Sequence, residues 1–245
     1  MLLHAAVAAL ILRFVYPRVT HERHRALLRW WSAKLLRILN ITAVLAGDAP
    51  RGDAAMIAAN HVSWVDIFLI SSVKPTRFVA KSEIRGWPIA GWIADRAGTL
   101  FIRRDQMRDM ARIDARVREI LGEGDCVGLF PEGITTEGDE LRRFHSSLFE
   151  PAVANGARVH PAAIRYEHPD GSLCRQMSFI GERTFVESLA LIVRQKAVRA
   201  RITFAAPIET AGASRREVAL AVEASVASLL GLPRAGNRPS THADR

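Results

Sequence analysis

His61 and Asp66 are the residues of this chain whose types and spacing best fit catalytic chemistry. A histidine can take a proton from a hydroxyl near neutral pH, and an aspartate at its other ring nitrogen fixes the tautomer and stabilises the imidazolium. Such a base with its orienting acid is the arrangement of nucleophilic acyl transfer, in which no protein nucleophile is required. A loop histidine without a catalytic role, followed by an aspartate that only charges a helix N-terminus, is the plain alternative.

The residues around this pair predict the elements that position it. The apolar run 54–59 directly precedes it and is typical of a buried strand. His61 would then lie at the carboxyl end of that strand, where open α/β sheets place their chemistry. We expect the next helix to begin near Asp66, so that its carboxylate can turn back toward the imidazole.

Strand and helix patterns alternate along the remainder of the chain. Predicted strands cover residues 41–46, 54–59, 76–80, 98–102, 126–130, 158–166 and 200–205. Predicted helices cover residues 65–72, 88–96, 106–121, 146–154, 184–197 and 215–230. This order predicts an α/β fold with a mixed, largely parallel central sheet flanked by helices.

Four ordered blocks carry a resemblance to a known family. They are NHVSWVD at 60–66, GTLFIR at 98–103, FPEGIT at 130–135 and VHPAAI at 159–164. In order and spacing they resemble the signature of the glycerolipid acyltransferases typified by 1-acyl-sn-glycerol-3-phosphate acyltransferase. The resemblance covers residues 40 to 205 and implies the fold and the activity of that family.

The resemblance also assigns roles to individual residues. It implies that His61 is the general base and Asp66 its partner, whereas Arg103, Glu132 and Gly133 hold the acceptor lipid. The third block departs from the family at Ile134 and Thr135, where Thr-Arg is common. An arginine there suits an acceptor phosphate, whereas the hydroxyl of Thr135 supplies one weaker, neutral contact. Thr135 is therefore the candidate substrate-binding position at which the resemblance leaves the identity of the acceptor lipid open.

The implied function is that of an O-acyltransferase in phospholipid biosynthesis. It would move a fatty acyl group from acyl-CoA or acyl carrier protein to the hydroxyl of a lysophospholipid, converting 1-acyl-sn-glycerol-3-phosphate to phosphatidic acid. Lyso-ornithine lipid is the alternative acceptor, because of Thr135. A non-catalytic membrane-binding protein of the same fold is a third reading, disfavoured because His61, Asp66 and Glu132 are all present. No metal and no bound cofactor are expected, since a thioester is already activated.

Composition narrows the class of partner. The 245 residues include 34 basic and 25 acidic side chains, which give a net charge of +9 and an attraction to polyanions. The sequence shows no zinc-finger spacing or aromatic-rich strand signature, so an anionic membrane surface is a better partner than nucleic acid. The two cysteines, Cys126 and Cys174, have no metal-type spacing and indicate no disulfide framework, which fits a reducing compartment.

The N-terminal 40 residues predict a membrane anchor of two helices. Residues 2–16 are apolar except for His4 and Arg13, and a helix of that length rises about 22 Å, short of the roughly 30 Å hydrocarbon core. Residues 24–40 form a basic amphipathic helix, which suits a membrane interface better than simple packing on the domain. We therefore expect an interfacial anchor at 1–40, a catalytic domain at 41–232 and a disordered tail at 233–245, on the cytoplasmic face of the cell (inner) membrane.

Overall fold

The computed structural model of this protein describes residues 19–51, 54–86, 91, 94–95, 98–102 and 107–234. The apolar segment 2–16, Arg103 and all but two residues of the predicted tail lie outside the described residues. Most of the predicted helix 88–96 does as well.

Seven strands of the described residues form one sheet. They are β1 (Ile41–Gly47), β2 (Ala55–Ala59), β3 (Thr76–Lys81), β4 (Leu100–Ile102), β5 (Cys126–Leu129), β6 (Val159–Glu167) and β7 (Val198–Phe204). Their spatial order is β1-β7-β6-β2-β5-β3-β4. The β6–β7 pair is antiparallel and the other five pairs are parallel, so the predicted mixed, largely parallel sheet is confirmed.

In the part of the chain that the structure describes, six α-helices cover the two faces of this sheet. They are α1 (His21–Ile38), α2 (Asp66–Val73), α3 (Met107–Gly122), α4 (Glu150–Asn155), α5 (Phe185–Val193) and α6 (Arg215–Leu230). On one face Leu36, Ile70 and Ile192 of α1, α2 and α5 join one buried cluster. On the other face Ile120, Ala152 and Val222 of α3, α4 and α6 join a second cluster. The molecule therefore has three layers, with the sheet in the middle.

Strand β2 lies in the centre of the sheet, and its sequence suits that place. All five of its residues are buried, and its side chains alternate between the two clusters, as Ile57 and Met56 show. A central parallel strand covered on both faces needs such a continuous apolar run. Because β5 and β6 flank β2 in parallel, the segments that follow all three strands emerge at the same edge of the sheet.

Helix α1 differs from the expectation in where its apolar face lies. Ser32, Leu35 and Leu36 are buried against the domain, and Trp31 packs edge-to-face on Phe68 of α2 with 5.4 Å between ring centroids. The expectation that this face enters a membrane is therefore wrong, because these side chains complete the core between α1 and the sheet.

The opposite side of α1 carries the exposed residues Arg29, Trp30 and Arg37, together with Lys34, whose ammonium lies 5.0 Å from the Trp30 ring centroid. This side of the helix is basic. Among the described residues, no helix combines the length and apolar character needed to cross a bilayer.

Candidate active site

His61 and Asp66 meet at the carboxyl end of β2. His61 lies two residues beyond the strand, Asp66 is the first residue of α2, and the imidazole Nδ1 is 2.8 Å from the carboxylate Oδ2. An ionised carboxylate can only accept, so Nδ1 carries the proton and Nε2 is left with its lone pair. The His61 side chain is 21% exposed, whereas that of Asp66 is fully buried. The reactive nitrogen thus belongs to a ring that a substrate can reach. The carboxylate that orients this ring is shielded from water.

Three further donors fix the Asp66 carboxylate. The backbone N–H groups of Val62 and Ser63 donate to Oδ2 at 2.8 and 2.9 Å, and the Tyr166 hydroxyl donates to Oδ1 at 2.7 Å. Burial, followed by the charge of Asp66 and the hydrogen bond to it, raises the pKa of Tyr166 well above its ordinary value. The phenol therefore keeps its proton and remains a donor to the carboxylate.

Phe130 supports the imidazole from β5. It follows the strand directly, and its ring stacks on His61 with centroids 3.9 Å apart and planes at 10°. Phe78 of β3 lies parallel to Phe130 at 5.8 Å, which continues the stack into the sheet. The absence of a side chain at Gly128 leaves room for the Phe78 ring, because a Cβ at position 128 would lie 2.5 Å from that ring. An aromatic wall of this kind restricts rotation of the base.

Glu132 is buried near His61, and its carboxylate accepts hydrogen bonds from two backbone segments. Its Oε1 accepts the N–H of His61 at 2.7 Å, and its Oε2 accepts the N–H of Arg142 at 2.8 Å. Burial is the largest effect on its carboxyl and raises the pKa to about 7. These contacts make Glu132 a clamp on the backbone of the base, and direct binding of an acceptor by Glu132 stays a prediction.

The loop after Glu132 is fastened to the loop after β2. Gly133 has φ of 77°, a left-handed conformation that glycine adopts without strain and that turns the chain after β5. The Thr136 N–H then donates to the His61 carbonyl at 2.8 Å, while the Thr135 hydroxyl donates to the Phe179 carbonyl. Thr135 is therefore held by a neighbouring segment, and a role for Gly133 and Thr135 in substrate binding stays a prediction.

Asn60 ties the base to β6. Its side-chain amide donates to the Ile164 carbonyl at 3.0 Å and accepts the Ile164 N–H at 2.7 Å, entirely within the core. This pair of bonds continues the ladder between β2 and β6 one residue beyond the end of β2. His61 is consequently held from both sides, by β6 through Asn60 and by the β5 loop through Glu132 and Thr136.

The structure thus brings His61, Asp66, Glu132 and Thr135 to one edge of the sheet, while Arg103 lies outside the described residues. Sequence reasoning gave no role to Phe130 or Tyr166. Phe130 could have been found as the aromatic residue that ends a strand beside the base. Tyr166 could have been placed on one face of β6 by alternation with Ile164, but its contact with Asp66 depends on how β6 lies against β2.

The arrangement can remove a proton from a hydroxyl beside His61. Ser63, the hydroxyl nearest in sequence, is fully buried, so a substrate hydroxyl is better placed to be the nucleophile. Within the part of the chain that the structure describes, no three His, Cys, Asp or Glu side chains are arranged to hold a metal ion.

Comparison with known proteins finds similarity to acyltransferases. A family model described as Acyltransferase matches residues 41–165. The chain is 40% identical over 208 residues to a lyso-ornithine lipid O-acyltransferase of Pseudomonas aeruginosa, covering 85% of this chain and 79% of that protein. It is 37% identical over 185 residues to a 1-acyl-sn-glycerol-3-phosphate acyltransferase of Neisseria meningitidis, covering 74% and 71%.

One solved structure shares the fold over nearly the whole length. The crystal structure of the 1-acyl-sn-glycerophosphate acyltransferase of Thermotoga maritima superimposes with a TM-score of 0.66 and covers 98% of this chain and 96% of that one. The two sequences are 20% identical, so the likeness is one of fold.

Proposed function

Because the chain belongs to the Acyltransferase family and is an acyltransferase, we propose that it transfers a fatty acyl group from a thioester to the hydroxyl of a lysolipid, with His61 as the general base. One observation carries this proposal. The His61 imidazole lies 2.8 Å from a carboxylate that is fully buried and oriented by three further donors. That geometry serves a base that must be held in one tautomer.

The reaction follows from the position of the proton. Nε2 of His61 takes the proton of the acceptor hydroxyl as its oxygen attacks the thioester carbonyl carbon, and Asp66 stabilises the imidazolium that forms. The tetrahedral intermediate then collapses, the carbon–sulfur bond breaks, and the leaving thiolate regains a proton from the imidazolium. General-base assistance is worth about 10² to 10⁴ in rate, so positioning and stabilisation of the oxyanion supply the remainder.

The donor in this proposal is acyl-CoA or acyl carrier protein. Both present the acyl group as a thioester, which reacts with a hydroxyl without a metal or a bound cofactor. Acyl carrier protein would then be a protein partner in addition to the two substrates.

The first candidate acceptor is 1-acyl-sn-glycerol-3-phosphate, which would give phosphatidic acid. The relative from Neisseria meningitidis is named for this reaction, and Arg103 is the sequence candidate for a phosphate contact. Phosphate recognition by arginine is strong because the guanidinium offers two parallel donors.

Lyso-ornithine lipid is the second candidate, and one observation favours it. Thr135 stands where the family commonly has a phosphate-pairing arginine, and its hydroxyl donates to the Phe179 carbonyl, so it offers that proton to the protein instead of to a ligand. The relative from Pseudomonas aeruginosa is named for this acceptor.

Purified protein with a radiolabelled acyl thioester and a panel of lysolipids tests these alternatives. Each reaction pairs acyl-CoA or acyl carrier protein with 1-acyl-sn-glycerol-3-phosphate, lyso-ornithine lipid or no acceptor. Label in phosphatidic acid or in ornithine lipid identifies the acceptor. Protein that binds vesicles but transfers label to neither lysolipid would favour the non-catalytic reading and contradict the proposal.

We also propose attachment to the cytoplasmic face of the cell (inner) membrane, since a lysolipid acceptor belongs to a lipid surface. The apolar residues 2–16 and the basic outward side of α1, with Arg29, Lys34 and Arg37, support this proposal. Such a side attracts an anionic lipid surface, and Trp30 between these cations suits the headgroup region.

A further inference from the structure

Tyr166 contacts the oxygen of Asp66 that faces away from the base. The imidazole and two backbone N–H groups approach Oδ2, whereas the Tyr166 hydroxyl lies 2.7 Å from Oδ1. Both Asp66 and Tyr166 are almost completely inaccessible to water, at 0% and 1% exposure. This hydrogen bond therefore has no competition from solvent and acts on the carboxylate at full strength.

The place of Tyr166 is set by the same strand that holds the base. Asn60, the residue before His61, is bonded at both its amide groups to Ile164, two residues before Tyr166. Alternation along β6 puts Ile164 and Tyr166 on the same face of the sheet, in the cluster that also contains Val62 and Val65. The backbone before His61 and the carboxylate of Asp66 are thus positioned by neighbouring residues of a single rigid strand.

A donor on Oδ1 changes what Asp66 does to His61. It draws negative charge toward the far oxygen, which weakens the hold of the carboxylate on the imidazolium and keeps the base from becoming too strong. It also prevents the carboxylate from rotating and exchanging its oxygens. Both effects reach the substrate only through His61.

We propose that Tyr166 is a positioning residue of the acyl-transfer site, which sets the orientation and the proton affinity of the His61–Asp66 pair. This inference rests on the proposed role of His61 as the base. Two titratable groups act on the pair from neighbouring segments: Tyr166 of β6 contacts Asp66 directly, and Glu132 after β5 acts through the His61 N–H and through its charge. Because Glu132 is unchanged when Tyr166 is replaced, a difference between the two proteins reports on the tyrosine.

The test is the pH profile of kcat and kcat/KM for Tyr166→Phe, which keeps the ring and removes the donor. A hydrogen bond to a charged partner is worth about ten- to a hundredfold, so we expect kcat to fall within that range while KM for the acceptor stays unchanged. The acid limb of kcat/KM should move to higher pH, because the imidazolium is held more tightly. Ile164→Val, a small change in the same core and on the same strand, should leave the acid limb in place.

Two results would overturn the inference. One is a Tyr166→Phe profile that matches the native profile in both plateau and acid limb. The other is a loss of activity that follows the loss of folded protein while the acid limb stays in place, since a merely structural residue would behave in this way.

A second variant avoids removal of the hydroxyl. Tyr16→Phe leaves Tyr166 as the one tyrosine, and 3-fluorotyrosine incorporated into this protein makes its hydroxyl a stronger donor. The acid limb should then move in the opposite direction, to lower pH. Following the His61 ring by NMR in the same proteins gives these shifts without turnover, so a failure of the proposed reaction is distinguishable from a failure of this inference.

Discussion

Burial gives Glu132 an affinity for protons that an exposed glutamate lacks. Its pKa is raised to about 7, mainly because the ionised form is desolvated in the core. In the unfolded chain the pKa of this carboxyl has its ordinary value of about 4.3. The stability that the bound proton contributes is therefore fully present below the ordinary value and is lost as pH rises through about 7.

This linkage predicts how stability depends on pH. The free energy of unfolding should fall between about pH 4.3 and about pH 7 in the native protein, and this slope should be smaller in Glu132→Gln. The amide has one acceptor for two N–H groups, those of His61 and Arg142, so the variant should also be less stable by about 1 to 3 kcal/mol. Urea unfolding at several pH values measures both effects. Equal slopes in the two proteins would show that Glu132 does not titrate in this range.

Thr135 is the residue at which acceptor choice should respond to one substitution. Thr135→Arg adds the guanidinium that a phosphate would pair with, at the expense of the bond to the Phe179 carbonyl. A charge-assisted contact is worth about ten- to a hundredfold in affinity, so kcat/KM should shift toward 1-acyl-sn-glycerol-3-phosphate relative to lyso-ornithine lipid by up to that factor. Thr135→Val breaks the same bond without adding charge and should not shift the ratio. An unchanged ratio in Thr135→Arg would assign phosphate recognition to another residue.

At the scale of elements, the link between β2 and β6 carries a prediction about stability. Asn60→Ala leaves the N–H and the carbonyl of Ile164 without their partner in the core, which should cost about 2 to 4 kcal/mol. Asn155→Ala removes a single amide bond at the surface of α4 and should cost less than about 1 kcal/mol. Chemical denaturation measures both. A loss as small as that of Asn155→Ala would mean that the Asn60 bonds do not hold β6 to the catalytic loop.

The elements themselves could be predicted largely from local sequence. Every predicted strand is present, because short runs rich in β-branched residues, such as 198–204 with its alternation of buried and more exposed side chains, fit a pleated sheet. One predicted helix, 146–154, is divided into a 3₁₀ turn at Ser146–Phe149 and α4, since Pro151 lacks an N–H and suits the first turn of a new helix. The predicted helix 184–197 corresponds to α5, which ends earlier, at Val193. Its start at the Thr184–Glu187 capping box agrees with the prediction.

The site could be predicted only as far as its contacts are local. His61 and Asp66 are five residues apart and meet within one loop, and the family resemblance that their block supports is confirmed. The contact between Asp66 and Tyr166 joins residues one hundred positions apart, and it depends on strand order, which the pattern of apolar residues does not contain. The burial of α1 was missed for a related reason. An amphipathic helix has the same sequence pattern whether its apolar face meets a membrane or a sheet.

At the scale of the whole molecule, we expect the two helical layers to differ in their contribution to membrane binding. Arg29 and Arg37 are exposed on α1 in one layer, whereas Arg118 and Arg216 are exposed on α3 and α6 in the other. Each basic residue near an anionic surface contributes about 1 kcal/mol, so Arg29→Glu with Arg37→Glu should weaken binding to anionic vesicles by about thirtyfold or more. Arg118→Glu with Arg216→Glu should have little effect. Equal losses in the two variants, measured by vesicle flotation, would contradict a membrane-facing α1.

Removal of the N-terminus has to respect the packing of α1. Deletion through residue 40 would take Leu35, Leu36 and Leu39 out of the core, so a change in its membrane binding would be mixed with unfolding. Deletion of residues 1–18 leaves this core intact and is the matched test of the apolar segment. We expect that shorter deletion to release much of the protein from membranes, and unchanged partitioning would contradict the proposed attachment.

The central claim, that His61 takes the proton of the acceptor hydroxyl, is tested most directly by the turnover of His61→Ala. The variant removes a partly exposed ring beside Phe130 and leaves Asp66, Glu132 and the sheet in place, so it should stay folded. With labelled acyl thioester and the preferred lysolipid, kcat should fall by about 10² or more, in line with the loss of a general base. Near-native turnover by folded His61→Ala, or an acyl group trapped covalently on the native protein, would contradict the mechanism.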